Sequence, residues 1–268
     1  MRIRININQV RSFLAVALGF IVVCTTVQAQ PARIMIPQGS FHSVLPEVVG
    51  EPVGVDSFYI DQFPVTNDQF AEFLKENPRW RRSQIPTIYA NNGYLKHWES
   101  DLIPGQNVEP NRPVTHISWF AANAYSEWNG GRLPTVKEWE FAAQAMDFNS
   151  KAEEDQFSYD LIGWYSSVNA IKPQEVGSTG IENKYGVKDM FGLIMEWAED
   201  FKPPIGTDIS LDCGTIGRMQ ENNSIYSYAQ SLRYVTRMSF SASSTTGLLG
   251  FRVAYDLPVS NHLKSGSL

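Results

Sequence analysis

The chain has 268 residues, 43% of them hydrophobic and 12% aromatic, with a formal charge of −6 from 22 basic and 28 acidic side chains. That balance gives no electrostatic reason to bind nucleic-acid phosphates or anionic lipid, so neither is an expected partner. The chain holds only two cysteines, Cys24 and Cys213, which excludes a disulfide-stapled scaffold.

Arg2, Arg4 and Arg11 form a basic leader without an acid, and an apolar run from Phe13 to Val27 follows. Val27 and Ala29 then stand where a signal peptidase reads small residues. The run falls short of the roughly 20 residues a membrane span needs. Residues 1–29 are therefore expected to be a signal peptide cleaved after Ala29, giving a periplasmic or secreted protein with no membrane anchor. Val23 before Cys24 is not the small residue that lipidation favours. Cleavage removes three positive charges, leaving 19 basic against 28 acidic residues, a net charge of about −9. It also leaves Cys213 alone, so no intrachain disulfide and no two-thiol chemistry is open to the mature chain.

Ala32 to Ser57 reads as extended: "ARIMIPQGSF" is strand-like up to a glycine turn, and "VDSFYIDQFPVT" alternates apolar and polar residues. Thr66 followed by Gln69 is a capping box, with Phe70, Phe73 and Leu74 on one helical face behind it. A second helix starts at Ser118, carries Trp119, Ala121, Ala122 and Tyr125, and stops at Gly130-Gly131. A third starts at Thr135, whose Glu138 completes Thr-x-x-Glu and whose Trp139, Ala142 and Ala143 share a face. Arg132, just before it, is read as tying the loop down through Glu138 or Glu140, with a ligand contact as the alternative.

Past Ala145, "MDFNSKAEEDQFSYD" reads as a polar, acidic loop. "GWYSSVNAIKPQEVGS" and "NKYGVKDMFGLIMEWAEDF" read as short strands and turns. Arg233 to Phe240 alternates like a strand, a Ser/Thr/Gly loop follows, and Gly250 to Tyr255 is a closing strand. There is no repeat and no linker. The expectation is one α+β domain over 32–257, with three short helices near its front, and a flexible tail over 258–268.

The ordered blocks "PVTNDQFAEFL", "RPVTHISWFAANAYSEWNGGRLPTVKEWEFAA", "NKYGVKDMFGLIMEWAED" and "GLLGFRVA" resemble the formylglycine-generating enzyme, or sulfatase-modifying factor, family from about Arg33 to Asp256. The resemblance implies a loop-rich variant of the C-type-lectin-like fold. The segments "GWYSS...VGS" and "DMFGLI-EW", with Cys213-Gly214, resemble exported members associated with copper nitrite reductase. Family enzymes oxidise a substrate cysteine with oxygen, using two tail cysteines that hold copper, and a soft Cu(I) ion calls for such a thiolate pair. The corresponding positions fall near Ser224 and Ala229, neither a cysteine. Copper is therefore not expected, and Cys213 is the one candidate nucleophile, read otherwise as a small buried residue.

The resemblance also implies a calcium site from an Asn side chain, backbone carbonyls and a Glu. Here Leu193 stands for the Asn, leaving Glu196 beside Trp197 as the candidate ligand, or else as the buried partner of Arg132 or Arg252. His42, His97, His116 and His262 are scattered, and His116 is read as a core or supporting histidine. Trp80, Tyr94 and Trp98 lie in an unpatterned insertion over 77–111, which is either a binding groove or a loop clamped by its own aromatics. Two functions follow from this reading. One is a noncatalytic module for a periplasmic protein or peptide partner, such as a copper nitrite reductase. The other is an oxidoreductase or metal-dependent enzyme with a divergent site.

Overall fold

A computed structural model describes residues 32–43, 51–106, 108–167, 173–200 and 240–258. The expected signal peptide, Cys213, the strand expected from Arg233 and the tail beyond Pro258 lie outside the described residues. Among the described residues no helix is long and apolar enough to cross a membrane.

The central sheet has three antiparallel strands in the order β1 (Arg33–Ile36), β4 (Phe58–Asp61), β7 (Ala254–Asp256). Its register pairs Ile36 with Phe58 and Phe58 with Asp256, so an early and a late segment share β4. Strands β2 (Gly39–His42) and β3 (Pro52–Val55) form a separate antiparallel pair. Strands β5 (Met195–Glu196) and β6 (Leu249–Gly250) form a short parallel one. The expected closing strand from Gly250 to Tyr255 is thus two pieces. Between them the carbonyl of Phe251 turns to Val65 N–H and that of Val253 to Asp61 N–H, so successive residues serve different neighbours.

Helix α1 (Asn67–Glu76) begins as its capping box predicts: the Gln69 N–H donates to Thr66 Oγ1, and the Thr66 N–H donates to Gln69 Oε1. It buries Phe70, Phe73 and Leu74. A 3-10 turn over Pro78–Trp80 follows. In α2 (Trp119–Trp128) the Ser118 hydroxyl accepts from Ala121 N–H. The helix ends where Gly130 takes φ +75° and the Gly131 N–H reaches back to the Ser126 carbonyl. In α3 (Val136–Ala143) Thr135 and Glu138 form the reciprocal cap.

The stretch read as an acidic loop is instead the longest helix, α4 (Lys151–Ser167), and it absorbs the "GWYSS" segment read as strand. Local pairs sustain it. Ser150 Oγ accepts from the Glu153 N–H, Lys151 bridges Glu154 at 2.7 Å and Asp155 at 3.0 Å, and Gln156 donates to Asp160. Its inward stripe is narrow, with Leu161 and Ser158 buried and Phe157 and Trp164 half-buried, so the apolar signal was faint.

Two apolar clusters fill the domain. One gathers Phe70, Phe73 and Leu74 of α1 against Tyr125 and Phe251; the other sets Ile36, Phe58 and Ile60 against Trp139, Ala142 and Phe191. The insertion's aromatics belong to the first cluster. Trp80, Tyr94 and Trp98 are all buried, the Tyr94 hydroxyl donates to the Trp80 carbonyl, and Arg82 donates to the carbonyls of Leu95 and Trp98. Among the described residues these three rings are packed into the core and not presented at the surface.

Candidate functional site

Two polar centres are built into this frame. In the first, β5 and the turn after β6 bring Glu196 and Arg252 together out of all contact with water. Arg252 Nε donates to Glu196 Oε2 and Nη2 to Oε1, both at 2.7 Å. The remaining guanidinium hydrogens go to the carbonyls of Asp61, Gln62 and Lys188 at 3.0–3.2 Å. Trp139 Nε1 donates to Glu196 Oε2 at 2.6 Å, and Trp197 Nε1 to the Ile117 carbonyl at 2.8 Å. Of the two partners open to Glu196, the structure selects Arg252. A Cβ at Gly250 would collide with the Val114 carbonyl, so only glycine lets β6 lie here.

Arg132 does its work elsewhere. It forks onto Glu138 (2.7 and 2.6 Å) and reaches Asp256 at 2.8 Å, tying the cap of α3 to β7. Glu140 instead accepts from Ser43 Oγ at 2.6 Å.

Glu196, the calcium ligand expected from the resemblance, is not free for that role. A calcium ion takes six to eight oxygens. The Leu193 side chain offers none and is buried, while both Glu196 oxygens already accept from a guanidinium and an indole. Among the described residues no three His, Cys, Asp or Glu side chains gather as a metal site. Cys213 lies outside the described residues, and one thiol does not make a copper dithiolate.

The second centre is a cleft of about 430 Å³ between the insertion, the segment before α2 and the Thr246–Leu248 turn. His97 and His116 meet in it, their ring centroids 4.7 Å apart. His116 is held at φ +57°, its N–H donating to the Thr246 carbonyl and its own carbonyl accepting from the Leu95 N–H. A non-glycine residue in that region carries strain that the flanking bonds must hold. Burial lowers the pKa of both rings to about 4, helped for His97 by His116, Lys96 and Arg82 and for His116 by Lys96. Both imidazoles are therefore neutral at pH 7.

Four buried polar atoms here have no hydrogen-bond partner: Nδ1 of His97, Nδ1 of His116, Oδ1 of Asn67 and Oγ1 of Thr246. Asn67 is 1% exposed, and its Nδ2 already donates to the carbonyls of Glu109 and Arg112. Sequence reasoning placed His116 in a supporting role and did not bring His97 to it. The two lie in different segments with no spacing that links them, so chain order carries no signal of the pair.

Among the described residues a small antiparallel sheet, four α-helices and long turn-rich segments define a loop-rich α+β domain, as the sequence led one to expect. The fold is shared with PvdO from Pseudomonas aeruginosa, at a TM-score of 0.50 and 17% identity over 85% of this chain and 95% of that one. The family model for the sulfatase-modifying factor enzyme 1-like domain matches residues 22–257, and the chain belongs to that family. Among curated relatives it is 28% identical to the inactive C-alpha-formylglycine-generating enzyme 2 of Mus musculus, over 84% of this chain and 85% of the relative. It is 26% identical to the formylglycine-generating enzyme of Streptomyces coelicolor, over 74% and 78%.

Proposed function

We propose that this protein is an exported, noncatalytic member of its family that binds a protein or peptide partner, a copper nitrite reductase being one such partner. One observation carries the reading: after leader removal the sequence retains Cys213 alone, and oxygen-dependent thiol oxidation on copper requires a pair. A relative named as inactive, similar over most of both chains, is consistent with a scaffold kept without the chemistry.

The test is direct. The mature protein, titrated with Cu(I) and incubated with oxygen and a cysteine-containing peptide, is expected to produce no peptidyl aldehyde. Aldehyde formation that disappears in Cys213→Ser overturns the proposal and establishes the oxidoreductase reading. Sedimentation of the mature protein with purified copper nitrite reductase tests the named partner; two independently sedimenting species would remove it.

A further inference from the structure

We propose that the His97–His116 cleft binds a carboxylate that also carries an N–H or O–H donor, as the C-terminus of a peptide does. The choice of a peptide rests on the binding-module reading above; the carboxylate chemistry does not.

Charge makes the first argument. Of the described side chains lining the cleft none is acidic, although the chain as a whole is acidic. Its lining holds two imidazoles and Arg112, whose guanidinium is held by Glu109 at the rim through Nε at 2.7 Å and Nη2 at 2.9 Å. Lys96 and Arg82 add positive potential at the rings. A cation would meet this field with no carboxylate among the described lining side chains, the nearby Glu109 being engaged by Arg112, whereas an anion is favoured.

The unanswered atoms make the second. A buried polar atom without a partner is costly, so four around one opening form a preformed demand for a ligand or ordered solvent. Asn67 Oδ1 can only accept, so whatever fills the cleft must donate to it. The two imidazoles can present N–H groups to a carboxylate. The left-handed backbone at His116 sets its ring 4.7 Å from that of His97.

Proton linkage is the third argument. The empty cleft keeps both imidazoles neutral, and a carboxylate beside them stabilises the imidazolium. Binding then takes up a proton. Among the described residues the charged groups facing the rings are each other, Lys96 and Arg82, with Arg112 in the lining held by Glu109.

The experiment follows the histidine Cε1–H resonances of the mature protein. It is titrated separately with N-acetyl-Gly-Ala, with the C-terminal amide of the same peptide, and with lactate. The expected result is saturable shifts of the two resonances, produced by the peptide acid and not by its amide, with the shift of the remaining ring lost in His97→Gln and in His116→Asn. Affinity should rise about tenfold per unit as pH falls from 7 to 5.5. His116→Asn keeps a residue type that tolerates the left-handed backbone, so a folded variant is available. Equal binding of the amide overturns the carboxylate. Lactate binding as tightly as the peptide acid overturns the peptide source and points to a small hydroxy acid. No shift with any probe at 20 mM overturns the site and assigns the cleft to solvent. That last outcome leaves the noncatalytic reading standing, since it is tested by aldehyde formation.

Discussion

Glu196–Arg252 and His97–His116 are both polar pairs set into apolar surroundings, yet they are opposites in bookkeeping of hydrogen bonds. At the first, every guanidinium hydrogen and both carboxylate oxygens have a partner. The cavity beside it measures only about 30 Å³, about the share of liquid volume one water takes. At the second, four buried atoms wait beside a space of about 430 Å³. The completed network joins β4, β5 and the turn after β6 and leaves nothing for a ligand. The incomplete one sits where three loops converge and is shaped to be finished by something else. The residues most prominent in the sequence motif are therefore the ones that hold the fold.

The strongest way to break this comparison is Arg252→Ala. It strands a buried carboxylate and should cost about 3–5 kcal/mol in urea unfolding. If Glu196→Leu/Arg252→Met recovers most of that loss, the pair is confirmed as a structural lock. Gly250→Ala should cost about 1–3 kcal/mol, because its Cβ would press on the Val114 carbonyl and lie 2.8 Å from Ile194 Cδ1.

The cleft should appear in the pH dependence of unfolding. The folded-state pKa of His97 and His116 is about 4, below the 6.5 of a free ring. The unfolded chain therefore binds more protons between these values, and stability is lost as pH falls through that window. His97→Gln should flatten the slope, with a difference on the order of 1–2 kcal/mol between pH 6.5 and 4.5. Asp61 works in the other direction. Burial raises its carboxyl to about 7, so its contribution is present at low pH and lost as pH rises through 7, and Asp61→Asn removes that trend. At the small end, Thr135→Ala should cost about 1 kcal/mol as a lost helix cap. Lys75→Ala, which breaks an exposed pair with Glu72, should cost no more than about 0.5 kcal/mol. Equal losses from Arg252→Ala and Lys75→Ala would erase the contrast.

Local chemistry was legible and long-range meeting was not. Thr66, Ser118 and Thr135 announce their helices because a cap is satisfied within three residues. Arg132 and Glu138 are six apart, near enough to be paired on paper. Helix α4 escaped because its stabilising contacts are between polar side chains, although Phe157, Leu161 and Trp164 kept helical spacing inside the acidic run. Trp80, Tyr94 and Trp98 looked available in an unpatterned loop, but burial depends on what the rest of the chain folds over them. The His97–His116 contact depends on the backbone at His116 turning into the left-handed region, held by bonds to Leu95 and Thr246.

The Glu196–Arg252 pairing also orders events in time. The two lie 56 residues apart, so at 5–20 residues per second a growing chain carries the acid for several seconds before its cation exists. Until then that carboxylate must stay hydrated, and the layers that later enclose it cannot shut. Strand β4 waits equally for β7. A nascent polypeptide of this sequence thus cannot complete that network until Arg252 has emerged.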